Sequence, residues 1–402
     1  MAAGIGGATK DQALATLNDM TINAAPIQLT EYQQRLAKAV KLMAEQQLDV
    51  MLLNAGTNLR YFTGVDWYAS ERLVCALLFA DGSLVYVVPH FEIGTIEPLM
   101  LIKGELLSWH EHEDPYALCA SRIAAFAGRN AKLALDESAQ FFIADALQLQ
   151  LPELNISNAR HVTAPCRMHK SAAELALMQT AMDMTLAVHK AAASILYEGI
   201  STKEVTEFIH QAHKKVGASG GSYFCIVLFG EDTAYPHGVA QPKTLAQNDM
   251  VLIDTGCRLH GYLSDITRSY VFGKASERQR SVWQHEKRAQ QAAFAAAKNG
   301  IACQEVDRAA RQYLQQHGFG PGYQLPGVPH RTGHGIGMDI HEWPYLVEGN
   351  TMPLATGMCF SNEPMLVLPG EFGVRLEDHF YMTDTGPRWF TEPAEDVEQP
   401  FS

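Results

Sequence analysis

Four acidic residues in the second half of this 402-residue chain are delivered to their positions by apolar sequence, and that placement limits what the chain can fold into. Asp254 ends the apolar run Met250–Asp254, and Asp265 follows eleven residues later in Gly261-Tyr-Leu-Ser-Asp-Ile-Thr-Arg268. Thr255-Gly256 and Gly261 between them suit a hairpin that returns the second Asp beside the first. Taken alone, two Asp residues flanking a hairpin are ordinary turn formers. Further on, Glu363 follows an apolar approach, and Pro364 after it keeps it extended rather than helical. Alternation through Phe372–Glu377 places Val374 and Leu376 on one face of a strand and Arg375 and Glu377 on the other, so these two polar groups project together.

Between the acidic segments runs His330-Arg-Thr-Gly-His334-Gly-Ile-Gly-Met-Asp-Ile-His341-Glu-Trp-Pro344. Its glycines break any helix, so the three histidines do not simply cover one amphipathic face. Four carboxylates converging without partners repel one another strongly; either they lie apart on the surface or cations sit between them. Two divalent ions resolve the repulsion. About −4 of charge from Asp254, Asp265, Glu363 and Glu377 then offsets about +4, and neutral His334 completes the set.

The chain around this constellation divides in two. Residues 1–28 read as an extension, 29–165 as a first α/β domain and 166–402 as a second domain. Thr30 and Gln33 have the spacing of a capping box opening a helix, with Tyr32, Leu36, Val40 and Met43 on one face. Leu48–Leu53 reads as a buried strand, and Leu73–Val88 as two strands joined at Asp81-Gly82. A second capping box, Ser171 and Glu174, opens a long Ala- and Met-rich helix. Within the second domain Gly-Ile-x-x-x-Glu-Val occurs at Gly199–Val205 and again at Gly300–Val306, each after an Ala-rich helix. This reads as a duplication with two similar halves across a pseudo-twofold axis, so a shared site draws residues from both.

Composition narrows the partners. A formal charge of −13 with no Lys/Arg stripe argues against nucleic acid. No apolar run reaches the roughly 20 residues of a membrane span, and Met1–Asn23 lacks the basic and apolar segments of a secretory signal. Seven cysteines, odd in number and without a Cys-x-x-Cys pair, fit reduced core residues. A cytoplasmic address is expected.

The ordered set just described, Asp254, Asp265, Gly-His334-Gly, Glu363-Pro and Arg375-x-Glu377-Asp, resembles the metallopeptidases comprising methionine aminopeptidase, aminopeptidase P, prolidase and creatinase. The first domain resembles the N-terminal domain of that family, notably in Asn58-Leu-Arg-Tyr61-Phe-Thr-Gly64. The resemblance implies an α/β (α+β) architecture, a creatinase/prolidase-like N-terminal domain followed by a pita-bread catalytic domain. It implies that Asp254 chelates one ion, that His334 and Glu363 bind the other, and that Asp265 and Glu377 bridge them. Mn²⁺ is expected, with Co²⁺ or Zn²⁺ as alternatives.

By the same resemblance Glu363 is the general base. His237 and His341 contact substrate and steady the intermediate, His330 lines the pocket, and Arg375 holds bridging carboxylates or substrate. The implied activity is that of an Xaa-Pro dipeptidase acting on small peptides, as a dimer or tetramer with Asp66-Trp67-Tyr68 as a candidate shared loop. Aminopeptidase P activity on longer peptides, hydrolysis of a non-peptide amide, and a non-catalytic peptide-binding module are the rivals, the last opposed by the intact ligand set. One departure stands out: Val367 occupies the position of a tyrosine found in many members, with Tyr223 and Tyr235 as candidate substitutes.

Overall fold

The structure, a computed structural model, describes residues 4–401 and contains two compact units: Ile27–Arg167, and residues 4–26 together with 168–401. In the first unit a six-stranded mixed sheet runs in the order Glu105–Trp109, Leu84–Pro89, Cys75–Phe79, Val50–Asn54, Lys132–Leu135, Asn155–Asn158. Three of its four inner strands, Leu84–Pro89, Cys75–Phe79 and Val50–Asn54, are buried along their whole length, as expected for strands with helices on their faces. The Asp81-Gly82 turn joins Cys75–Phe79 to Leu84–Pro89, with the Asp81 carboxylate accepting from the Ser83 N–H at 2.8 Å.

The first helix departs from its sequence reading. It spans Leu29–Glu45 with Gln28 as N-cap, and no side chain caps it, so Thr30 and Gln33 lie inside the helix rather than at its start. Its most buried positions are Tyr32, Arg35, Ala39 and Met43, while Leu36 and Val40 are half-buried at the edge. Arg35 tolerates burial because it donates to the Tyr61 carbonyl, pairs with Glu31 and lies over the Tyr61 ring.

In the second unit residues 4–26, read from sequence as part of an extension, dock by backbone hydrogen bonds. Gly6 and Ala8 donate to the Ala193 and Ser194 carbonyls and Met20 to that of Val216. The Ser171–Glu174 capping box forms and opens helix Ala172–Ser194. The repeat is visible in backbone bonding. Gly199 and Gly300 donate to the carbonyls of Leu245 and Leu354, which donate back to Ile200 and Ile301. Each repeat then enters a 14-residue helix, Thr202–Lys215 or Cys303–Gln316.

Two larger sheets follow from the two halves, beside a two-stranded hairpin of Met365–Leu368 and Phe372–Arg375. One has the order Ile266–Val271, Met250–Leu259, Ser222–Phe229; the other is Glu342–Leu346, Gly333–Gly335, Cys359–Asn362, Asp378–Thr383, Gly386–Trp389. They are stitched together where Glu377 N–H donates to the Thr267 carbonyl and Ser269 bonds both backbone groups of Arg375. Beneath that seam Arg268, fully buried, pairs with fully buried Asp378 at 2.6 Å and donates to the Glu377 carbonyl at 2.9 Å. Thr391 and Gln290 also donate to Asp378.

A buried charge whose partner is removed is left without compensation, which costs about 3–5 kcal/mol. Asp378→Ala is therefore expected to lower the unfolding free energy by about that amount, read from the denaturant midpoint of the metal-free protein. A loss below about 1 kcal/mol would contradict this account of the seam.

Candidate metal centre

Asp254 sits within strand Met250–Leu259, opposite Thr267 on one side and Ile226 on the other. The chain reverses at His260-Gly261, as the glycine at 261 suggested, whereas Thr255-Gly256, also named for the hairpin, continue the strand. Asp265 then precedes strand Ile266–Val271, which pairs antiparallel with Met250–Thr255. His334 stands at the middle of Gly333–Gly335, hydrogen-bonded between two neighbouring strands. A Cβ at Gly333 would collide with the Ser361 carbonyl and one at Gly335 with that of Glu342, so the Gly-His-Gly pattern is a requirement of close strand approach.

The imidazole is held from both ends. Its backbone N–H donates to Ser361 Oγ at 2.8 Å, and its Nδ1 faces the Gly335 carbonyl at 3.0 Å. Nε2 is thereby aimed at the acids. It lies 3.1 Å from Glu363 Oε1, 3.7 Å from Asp265 Oδ2 and 3.9 Å from Glu377 Oε1. Thr267 donates to Glu377 Oε2 at 2.7 Å, and Ser361 to Glu363 at 3.1 Å. Arg375 directs its guanidinium to Asp254, to Thr267 Oγ1 at 3.2 Å and to the Pro236 carbonyl at 3.0 Å.

The structure thus brings Asp254, Asp265, His334, Glu363 and Glu377 to the wall of one cavity of about 230 Å³, joined there by His237, His341 and Arg375. His341 stacks edge-on to His334 with ring centroids 4.2 Å apart. His330 does not line this cavity, and burial lowers its affinity for a proton. Tyr223 lines it and Tyr235 does not; Val367 is buried against Leu228, Ala234 and Leu252 instead. Tyr223 forms an apolar wall with Phe224, Ile226 and Ile340, three residues that no sequence signal identified. Thr267 was also missed, though Asp265-Ile-Thr267 alternation on a strand would have placed it on the side of Asp265.

Burial and then the neighbouring carboxyls push Asp265 and Glu377 well above the usual carboxylate range. Asp254 is raised by burial despite Arg375. Burial also pushes Glu363 upward, but the hydrogen bond and charge of His334 outweigh it and hold Glu363 below its ordinary value. Three buried oxygens, Asp254 Oδ1, Asp265 Oδ1 and Glu377 Oε1, have no hydrogen-bond partner. Orphaned acceptors of this kind cost about 1–3 kcal/mol each, more when charged. An oxygen-rich set with one imidazole is the donor chemistry of divalent ions, so the residues present fit such ions.

Comparison with known proteins agrees with this geometry. Residues 176–384 match the model of metallopeptidase family M24, and residues 35–169 match the creatinase/prolidase N-terminal domain. The chain is 29% identical over 367 residues to an Xaa-Pro dipeptidase of Lactobacillus helveticus, covering 90% of this chain and 98% of that one. A crystal structure of dipeptidase PepE from Mycobacterium ulcerans superposes with a TM-score of 0.86 at 32% identity, covering 93% and 99% of the two chains. The recombinant prolidase from Thermococcus sibiricus gives a TM-score of 0.84 at 28% identity, covering 91% and 98%. The pita-bread fold expected from the sequence is therefore the fold of this chain.

The raised carboxyls set a pH dependence. Without metal, the folded chain holds protons on Asp265, Glu377 and Asp254 that the unfolded chain releases near pH 4, so these groups make the metal-free protein less stable as pH rises through and above that value. Glu363 acts in the opposite sense. Bound divalent ions require the deprotonated forms and reverse the penalty. The gain in Tm on adding Mn²⁺ to chelated protein is expected to be larger at pH 8 than at pH 5, measured by calorimetry. An equal or larger gain at pH 5 would contradict this.

Proposed function

The chain belongs to metallopeptidase family M24 as a metal-dependent peptide hydrolase, and from that premise we propose that it cleaves the amide bond before proline in dipeptides. The observation that carries the proposal is the cavity itself. At about 230 Å³ it is smaller than the roughly 300–1,000 Å³ of pockets for drug-sized ligands, and its apolar wall faces the acids. A small peptide with an apolar ring fits that description.

Asp254, Asp265, His334, Glu363 and Glu377, which line the cavity together, would hold the divalent ions. Ions held there supply Lewis acidity that makes water nucleophilic near neutral pH. Mn²⁺ suits the carboxylate-rich set, and the imidazole also admits Co²⁺ or Zn²⁺. Glu363, steadied by the Ser361 hydroxyl, accepts the proton of the attacking water and passes it to the leaving nitrogen. His341 and His237, on the cavity wall, donate to the oxyanion that develops at the scissile carbonyl. Arg375 keeps Asp254 in place, and Tyr223, Phe224, Ile226 and Ile340 take the proline ring.

A second reading, aminopeptidase P activity on longer peptides, is favoured by one observation. A dipeptidase must capture the free proline carboxylate, yet Arg375 is committed to Asp254, Thr267 and Pro236, and His330 is off the cavity wall. His237, on the cavity wall, is then the remaining hydrogen-bond donor among the three for that carboxylate. The rest of the proposal is a homo-oligomer, supported by the exposed ring of Tyr68 on the 66–68 loop, and a cytoplasmic address, supported by seven free cysteines. Among the described residues no helix is long and apolar enough to cross a membrane.

Ala-Pro and Leu-Pro are expected to be cleaved about 30-fold to 1000-fold faster in kcat/KM than the same peptides extended by one residue, the equivalent of roughly 2–4 kcal/mol for an unmatched carboxylate site. Equal or faster tripeptide cleavage would assign the aminopeptidase P activity. Chelation should abolish both reactions and Mn²⁺ restore them. His341→Ala is expected to lower kcat on the order of 10²- to 10³-fold with bound metal unchanged by elemental analysis; loss of metal would place His341 among the ligands instead.

A further inference from the structure

His379 has no part in the site as assembled so far, yet it is among the most enclosed polar side chains beside it. It lies two residues beyond Glu377 on the extended chain, so the two side chains share a side. Its strand partner is Ser361, whose hydroxyl holds both the His334 backbone and Glu363. The imidazole is fully buried, and neither of its nitrogens has a hydrogen-bond partner. A buried polar group in that condition is costly unless something outside the protein completes it.

What could complete it is indicated by position. His379 Nε2 lies 4.0 Å from Glu377 Oε1, almost the separation at which His334 Nε2 faces the same oxygen, 3.9 Å. The two imidazole centroids are 5.9 Å apart. One donor atom each from Asp265, His334, Glu377 and His379 fall within 4.8 Å of one another, a spread that a single cation can span. A neutral imidazole has one lone pair to give and is a common metal ligand.

We propose that His379 is a further metal ligand of this centre, supplying a second imidazole to the ion held by His334. The proposal rests on the divalent-ion reading above. It adds a consequence: a second nitrogen donor moves the preference of that position from Mn²⁺ toward Co²⁺ or Zn²⁺.

The test uses the full chain, stripped of metal and titrated with CoCl₂ by calorimetry and visible absorption, for wild type, His379→Ala and His379→Gln. Two Co²⁺ bound per wild-type chain supports the divalent-ion reading; no binding by wild type overturns that reading and this inference with it. Given wild-type binding, both variants are expected to hold one of the two ions at least about 10-fold more weakly, with an altered absorption band and a smaller loss for MnCl₂. Wild-type affinity and absorption in the variants overturn the inference, even if the Tm of the metal-free variants falls, because a merely structural histidine would move only the latter. Should neither variant fold, the Co²⁺-loaded wild type decides. Two exchangeable, paramagnetically shifted imidazole N–H signals are expected from two ligating histidines, and one signal overturns the inference.

Discussion

Repulsion among four carboxyl groups brought around one imidazole is the constraint that the catalytic unit is built to answer. Asp254, Asp265 and Glu377 are buried, Glu363 is nearly so, and each borders the same small cavity. The protein's own donors answer only part of the charge. Arg375 neutralises Asp254, Thr267 donates to Glu377, and His334 and Ser361 hold Glu363. The oxygens left without partners are all on carboxylates that face inward, which is why the fit to divalent cations follows from the geometry rather than from the residue types alone.

Holding such a cluster requires a frame that does not relax away from it. A backbone bond between Glu377 and Thr267 and the Ser269 hydroxyl on the backbone of Arg375 join the two halves at the site, and the buried Arg268–Asp378 pair lies directly beneath. Helix Glu277–Ala296 adds Gln290, which donates to the Leu376 carbonyl and to Asp378. Duplication makes this economical. Each half repeats a Gly turn, a capped or bridged helix entry and a strand that carries acids to a common seam, so neither half holds a complete site.

The same frame defines what enters. Tyr223, Phe224 and Ile226 come from strand Ser222–Phe229 of the first half, while Ile340 and His341 come from the segment after His334 in the second. An apolar wall drawn mostly from the first half thus shares the cavity with acids and histidines from both. Binding an apolar ring against that wall would aim the adjacent amide at Glu363 and His341, which is positioning of the kind that lowers a reaction barrier through orientation.

The metal-type residues and their order were legible in the sequence because each is announced locally: Asp254 by the apolar strand it ends, Glu363 by the proline after it, and Glu377 by strand alternation with Arg375. The duplication was legible because a turn and helix entry are short-range events with their own residue signature. The helix at Leu29–Glu45 was recognised, but its start was misplaced, since a capping-box spacing occurs by chance and only backbone geometry tells whether it is used. The reversal at Gly261 was legible, but sequence could not tell it from Thr255-Gly256, which is as good a turn by composition and lies in the strand instead.

Other features had no local signal at all. The apolar wall, the displacement of His330 from the cavity, the commitment of Arg375 to Asp254 and the enclosure of His379 depend on residues separated by up to 139 positions in the case of Pro236 and Arg375. By itself the sequence determined which chemistry was available and in what order along the chain. Tertiary structure alone decided which groups share a cavity and which are left without partners, because burial and distance are properties of the packed chain, and the energies that matter here depend on both.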